Sequence, residues 1–297
     1  MRVFVTGATG WVGSAVVREL LGAGHQVLGL TRSDSGAQTL LAAGAQVKHG
    51  TLEDLDSLCS GAAQADAVVH TAFNHDFSKF AQNCEDDRRA IEAMGTVLEG
   101  SERPLLATSG LALVPSGPLA TEADAHVPVS AGYPRASDAA VQALLARGVK
   151  ASVVRLPPSV HGHGDHGFVP HLIALAREKG VSAYIGEGLN RWPAVHRLDA
   201  GRVFRLALER GVRHGPFHAV AEEGVPFRDI AAVIGRRLNV PVLSLSGEEA
   251  AAHFGWFAHF AAMGVATSSA RTRERLGWQP EQAGLIADID HPRYFEG

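Results

Sequence analysis

The sequence is short of cysteine, of charge of one sign and of long apolar runs, and each shortage removes a class of protein. Two cysteines, Cys59 and Cys84, in 297 residues do not make a disulfide framework and fit a reducing compartment. No stretch approaches the roughly 20 consecutive apolar residues that a membrane span needs, and no signal-peptide core opens the chain. The expectation is therefore a cytoplasmic protein without a membrane partner. The formal net charge is −4, with both signs interspersed, so no basic field gathers phosphodiester backbone and nucleic acid is not expected as a partner. Internal repeats and low-complexity tracts are also missing. What is present, 46% hydrophobic and 20% charged residues, is the balance of a globular chain. Its length suits one large domain, or a domain with an appendage.

Short β-branched runs alternate with longer Ala/Leu-rich periodic segments, the signature of βαβ units and a parallel sheet. Strands are expected over 2–5, 26–30, 45–49, 67–70, 104–108 and 151–155. Helices are expected over 11–23, 35–43, 52–62, 86–100 and 133–147. This predicts an α/β, Rossmann-type doubly wound sheet over 1–156. From 157 to 297 the texture is less regular: a His/Gly loop, helices over 169–179, 200–210 and 227–238, a Trp/Pro-containing loop and an Ala/Phe-rich stretch over 250–262. This half is expected to be mostly a smaller substrate-side region, with a strand near 217–220 returning to the main sheet.

Gly7-Ala8-Thr9-Gly10-Trp11-Val12-Gly13 follows the first strand directly and opens the first helix, the context that a dinucleotide fingerprint requires. The first glycine allows the tight turn, the second lets backbone N–H groups approach a pyrophosphate, and the third lets helix and strand pack closely. The anion then sits at the positive end of the helix dipole. Gly7, Thr9, Gly10, Trp11, Val12 and Gly13 are thus the expected cofactor contacts, against the alternative of a glycine-rich turn with no ligand. An NAD-selective site places an acid about 20 residues on, at the end of the second strand, to take the ribose 2′-hydroxyl. Here Thr31 and Arg32 occupy that place. A guanidinium pairs with a 2′-phosphate, so NADP is expected ahead of NAD, unless Arg32 is only a solvated surface arginine.

The glycine spacing at the start of the chain resembles that of the extended and atypical short-chain dehydrogenase/reductases, which include nucleotide-sugar epimerases and dehydratases. His49-Gly50-Thr51-Leu52 is similar to the family segment beside the adenine, with Thr51 where the family has aspartate. Val68-Val69-His70-Thr71-Ala72-Phe73 resembles the stretch along the cofactor ribose, and Arg155-Leu156-Pro157-Pro158-Ser159-Val160-His161-Gly162 the segment at the nicotinamide end. Val195 to Asp199 and Thr272 to Pro280 also fit, so the resemblance covers nearly the whole chain. It implies Thr51, Leu52, Thr71, Ala72, Phe73, Pro157 and Ser159 as further cofactor contacts, and a homodimer.

The resemblance also implies a catalytic Ser or Thr, a Tyr, and a Lys four residues after the Tyr. A phenol ionises near 10, and an adjacent ammonium brings it toward use as acid or base. Tyr133 fits, but the fourth residue on is Ser137. Arg135, at about 100° per residue, falls on the far side of the expected helix, and Lys150 lies beyond it. Tyr133 is either the acid/base or a packing tyrosine. Ser109 is the best match for the hydroxyl that orients the substrate oxygen. Thr108 remains possible on register, which could also put Gly110 at the family position, and a local turn hydroxyl is the rival reading.

His161-Gly-His163-Gly-Asp165-His166 is dense in metal-ligand types, but no hairpin or helix presets a tetrahedral geometry, so no metal is expected. A polar loop facing the substrate, with His161 or His163 assisting proton transfer, is favoured instead. Asn74-His75-Asp76 follows a strand end, where open sheets place ligands, or is a solvated loop. Trp192 and Phe254, Trp256, Phe257 and Phe260 make either an apolar substrate wall or core and subunit interface. The expected function is that of an NAD(P)-dependent oxidoreductase acting on a carbonyl or hydroxyl of a small molecule, or of an epimerase or dehydratase that shares the first step. The alternative is a non-catalytic NADP-binding redox sensor, which the missing lysine favours.

Overall fold

In the computed structural model, which describes residues 1–114 and 117–296, the first half alternates strand and helix throughout. Strands β1 (Arg2–Thr6), β2 (Gln26–Thr31), β3 (Gln46–His49) and β4 (Ala67–His70) precede helices α1 (Trp11–Gly22), α2 (Asp34–Ala42), α3 (Leu55–Ala63) and α4 (Phe80–Leu98) respectively. Then come β5 (Leu105–Gly110), a short antiparallel pair β6 (Leu113–Val114) and β7 (Ala125–His126), α5 (Ser137–Ala146) and β8 (Ala151–Leu156). The second half contains β9 (Ser159–His161), α6 (Phe168–Lys179), β10 (Ser182–Ile185), β11 (Arg191–His196), α7 (Arg197–Arg210) and β12 (Phe217–His218). It ends with β13 (Glu222–Pro226), α8 (Phe227–Leu238), β14 (Val242–Leu245), α9 (Gly247–Phe254), α10 (Ala258–Ala262), α11 (Ala270–Leu276) and α12 (Leu285–Ile289).

The main sheet has seven strands in the order β12-β8-β5-β4-β1-β2-β3, all parallel. Six of them are complete by residue 156, and β12 adds the seventh beside β8. Because β1 lies between β2 and β4, the order reverses there and leaves a crevice at the carboxyl ends of β1 and β4. Both faces of the sheet are covered, which is why its strands read as continuous apolar runs. Val3, Val5, Val69, Leu106 and Val154 pack under α1 and α7, and Phe4, Val68, Leu105, Ala107 and Val153 pack under α3, α4 and α5. In α1 the buried residues Gly13, Val16, Val17 and Leu20 recur at helical spacing and form the stripe that meets the sheet. Ser33 caps α2 through Gly36 N at 3.1 Å, and Asp54 caps α3 through Ser57 N at 3.1 Å.

A third apolar cluster gathers α6, α8, α9, Trp192, Phe257 and α12. Here the structure departs from the sequence reading. The Trp/Pro segment is strand β11, paired with β9 and β13, and Pro193 sits at an irregularity between Trp192 and Ala194, where a ladder tolerates a missing N–H. Trp192, Phe254 and Phe257 are buried core, whereas Trp256 is 57% exposed. Helix α4 begins at Phe80 rather than 86, and α3 at Leu55 rather than 52. The largest departure is at α5, which begins at Ser137 instead of 133. Tyr133 precedes Pro134, whose ring disfavours helical backbone at the residue before it, and it exchanges both backbone hydrogen bonds with Ser130 at 2.9 and 3.1 Å. Among the described residues no helix is long and apolar enough to cross a membrane.

Candidate cofactor and active site

At the crevice, Gly7 has φ +65° and accepts from Gly10 N at 2.8 Å. A Cβ on Gly7 would lie 2.7 Å from Ala72 N, and one on Gly13 would lie 2.0 Å from Gly7 O and 2.6 Å from Thr71 Oγ1. The turn is therefore packed on three sides against its own carbonyl and against Thr71-Ala72. Its remaining side, at Thr9 and Gly10, is exposed. Helix α1 has no acidic residue in its first turn and no side-chain cap, so its amino-terminal N–H groups have no internal anion. A pyrophosphate fits this arrangement. Trp11 donates its indole N–H to Val160 O at 2.7 Å, and the Arg197 guanidinium lies 4.3 Å above its ring. Val12 is half-buried behind it.

At the expected adenosine side, Thr31 is buried and Arg32 is exposed at the end of β2. Thr51 is exposed and Leu52 half-buried beyond β3. The Thr51 hydroxyl bonds to Glu53 and holds that carboxyl below its usual range, with a smaller contribution from Arg32. Pro157 is buried, and so is Ser159, whose hydroxyl has no partner among the described residues. A buried hydroxyl without a protein partner is satisfied by water or by a ligand, and this one lies on the segment expected at the nicotinamide end.

Beneath Thr71, Ala72 and Phe73 runs a buried polar chain. His70 Nε2 meets Asp87 Oδ1 at 3.1 Å, and Thr6 Oγ1 meets His70 Nδ1 at 2.7 Å. With Nε2–H given to the carboxylate, Nδ1 is left to accept from the Thr6 hydroxyl. Ser137 donates to Asp87 Oδ2 at 2.6 Å, and Arg135 Nε donates to Ser137 Oγ at 2.9 Å. Burial alone would raise the Asp87 carboxyl. The charge of Arg135, with hydrogen bonds from His70 and Ser137, instead holds it below the ordinary carboxylate value.

Arg135 thus needs correction. The segment carrying it is not helical, and its guanidinium turns into the cleft, 4.0 Å over the Phe73 ring, with Nη2 donating to Thr108 O at 3.3 Å. Ser109 follows Thr108 on β5. It is 1% exposed, and its Oγ lies 3.4 Å from His126 Nε2. Ser109 stands in register with Arg155, and His126 packs in turn against the Tyr133 ring. Thr108 Oγ1 is bound to His70 O at 2.8 Å, and a side chain at Gly110 would enter open space.

Tyr133 is half-buried, its ring 5.5 Å from that of His126. Burial pushes its phenol up to about 12, against the opposing charge of Arg135. Cys84, nearby on α4, is likewise raised by burial to about 11. Asp138 binds Arg155 at 2.8 Å behind the phenol, and its second oxygen lies 3.4 Å from His126 Nε2. Phe73, His75, Phe77 and Phe80 form a chain of ring contacts from β4 outward, and Phe77 stacks on Trp256 at 5.6 Å. The Asn74-His75-Asp76 segment is therefore part of an aromatic roof that joins the two halves of the chain. Burial, followed by the charges of Arg135 and His166, lowers the His75 imidazole.

The His/Gly motif divides. His161 is fully buried in β9, with Nδ1 2.9 Å from Asp288 Oδ2, so it is not a substrate-facing loop residue. Asp288 also accepts from Tyr294 at 2.6 Å and from Arg293, and these bonds outweigh burial and hold it at about 2. His163 is exposed, and His166 packs edge-on against Trp11 at 5.4 Å. Among the described residues no group of three His, Cys, Asp or Glu side chains is placed to hold a metal. The sequence reading missed Asp87, His126 and Asp138, and passed over Arg135. The one available signal was Pro134, which ends the case for a helix through Tyr133.

Comparison with known proteins adds to this geometry. A family model described as the NAD dependent epimerase/dehydratase family matches residues 3–220. An uncharacterized protein of Schizosaccharomyces pombe is 52% identical over 99% of this chain and 100% of its own length. The 4-hydroxy-2-methyl-3-oxo-4-farnesyl-3,4-dihydroquinoline-1-oxide ketoreductase of Stigmatella aurantiaca is 29% identical over 86% of this chain and 80% of that protein. Among solved structures, the dTDP-glucose 4,6-dehydratase of Streptomyces venezuelae with NAD bound superposes with a TM-score of 0.75 at 20% identity, covering 99% and 97% of the two chains.

Proposed function

Since the chain belongs to the NAD-dependent epimerase/dehydratase family, whose fold it shares, we propose that it is an NADP(H)-dependent oxidoreductase that interconverts a carbonyl and an alcohol on a small, largely apolar molecule. The observation that carries this reading is the Tyr133 phenol. It is half-buried against the His126 ring with the charge of Arg135 acting on it, and its hydroxyl makes no hydrogen bond among the described residues. Gly7, Thr9, Gly10 and the start of α1 would hold the pyrophosphate of the dinucleotide, Thr31 and Arg32 its adenosine ribose, and Ser159 its nicotinamide end. When bound, that group supplies two electrons as hydride to the carbonyl carbon, or removes them from the carbinol. Tyr133 gives the oxygen its proton in reduction and takes it back in oxidation, and the phenolate exchanges with solvent, so charge and atoms balance. The rings of Phe73, His75, Phe77 and Trp256 offer an apolar wall and favour an apolar substrate, as the name of the bacterial ketoreductase also suggests. A second copy of the chain is the expected partner.

Two measurements test the reading. Calorimetric titration is expected to give tighter binding of NADPH than of NADH. Arg32→Ala should weaken NADPH by roughly 10- to 100-fold, the value of a hydrogen-bonded charge, and leave NADH nearly unchanged. Equal loss for both would remove the NADP assignment. Tyr133→Phe should lower turnover of an apolar ketone by roughly 100-fold or more with cofactor affinity intact, and full activity in that variant would remove the phenol from the reaction. The phenol's high ionisation without a lysine favours a second reading, a sensor that binds the dinucleotide without turnover. Tight NADPH binding with no turnover of apolar ketones or sugar nucleotides would establish it.

A further inference from the structure

The oxidoreductase reading needs a cation beside the phenol, and the residue at the lysine position is Ser137. We propose that Arg135 supplies this charge, mounted over Phe73 by the buried Asp87–Ser137 pair, and that it acts on Tyr133. The inference rests on the proposed oxidoreductase function but concerns a residue that the family pattern does not contain.

The geometry fixes the guanidinium on several sides. Nε donates to Ser137 Oγ at 2.9 Å, Nη2 donates to Thr108 O at 3.3 Å, and the ring of Phe73 lies 4.0 Å beneath. Ser137 is itself fixed by its 2.6 Å bond to Asp87. The position where a lysine would stand has therefore become part of the mount for an arginine two residues earlier. Asp87 in turn is tied through His70 to Thr6, so the mount draws on β1, β4, α4 and α5. Nη1 has no hydrogen bond among the described residues and is free for a ligand oxygen.

Several groups face the phenol. Asp138 on α5 and Arg155 on β8 are paired at 2.8 Å and largely cancel, His126 on β7 presents its ring, and Cys84 on α4 is held as a thiol by burial. Arg135 stands 3.8 Å from the nearest Asp87 oxygen, looser than the Arg155 pair, so more of its field reaches its surroundings. It lies two residues from Tyr133 on the same non-helical segment ahead of α5, and its charge opposes the rise that burial imposes on the phenol. A guanidinium stays protonated across the working range. Arg135 therefore lends field and orientation but no proton, which makes it a positioning residue.

The test reads the phenol directly. The chain has three tyrosines, so ultraviolet pH-jump titration of the protein minus that of Tyr133→Phe isolates the Tyr133 ionisation. Arg135→Gln, which keeps amide hydrogen bonding but loses the charge, is expected to raise that ionisation by about one pH unit or more, and Arg135→Lys to return it to within about half a unit of wild type. Alcohol oxidation, which needs the phenolate, should show its pH limb moved upward by the same interval in Arg135→Gln and restored in Arg135→Lys. An unmoved phenol in Arg135→Gln, or a lysine variant that behaves like glutamine, overturns the proposal. Calorimetry with NADPH and NADH is run on the same proteins. Failure of both to bind wild type removes the oxidoreductase reading, whereas intact binding with an unmoved phenol removes only the role of Arg135.

Discussion

Gly13→Val is expected to abolish binding of both nicotinamide dinucleotides and to destabilise the fold by about 3 kcal/mol, near the upper end of typical overpacking costs. The first added carbon would lie 2.0 Å from Gly7 O and 2.6 Å from Thr71 Oγ1. Neither can retreat cheaply. Gly7 O already accepts Gly10 N, and Thr71 Oγ1 is bound to Thr6 O at 2.7 Å. The helix cannot slide away either, because a Cβ on Gly201 of α7 would lie 3.0 Å from the Ala15 backbone, which shows how closely the two helices pack. Strain must then appear in the turn that exposes the amides. Thermal unfolding and calorimetry check both effects, and NADPH affinity within about tenfold of wild type would show that the turn does not hold the anion. Gly22→Ala in the same helix is the control. Nothing lies within 4 Å of its added carbon, so about 1 kcal/mol of helix propensity is expected as a gain.

Asp87→Ala is expected to cost about 3–5 kcal/mol, the usual result of removing one partner from a buried charged network. The change leaves His70 Nε2 and the Ser137 hydroxyl without an acceptor and Arg135 without its counter-charge. Asp87→Asn, which keeps the shape and one acceptor oxygen, should cost less. The pH dependence separates charge from shape. The folded Asp87 carboxyl ionises below its ordinary value, so its stabilisation is complete above the unfolded value of about 3.9 and disappears as pH falls through the lower folded value. Urea unfolding should show the gap between wild type and Asp87→Asn constant near neutrality and shrinking below about pH 4. A gap of constant size down to pH 3 would assign the loss to packing instead.

The readings that hold are those whose cause is local. Gly7, Gly10 and Gly13 are legible because a tight turn and a close helix–strand approach make demands on particular backbone positions. The parallel sheet is legible because strands buried on both faces must be apolar along their length. The readings that fail turn on a distant neighbour or on a missed local breaker. His161 is buried because Asp288, 127 residues later in the chain, comes to its imidazole. Arg135 was placed by a helical wheel, although Pro134 keeps the chain from being helical there.

The sequence by itself therefore determined the sheet, its two covered faces and the tight glycine turn that opens α1, since periodicity and backbone conformation act over a few residues. Only the tertiary structure decided that Arg135 lies over Phe73, tied to Ser137 and Thr108. The reason is that a buried charge is tolerated only where separate elements bring it partners, and here Thr6, His70, Asp87 and Ser137 come from β1, β4, α4 and α5.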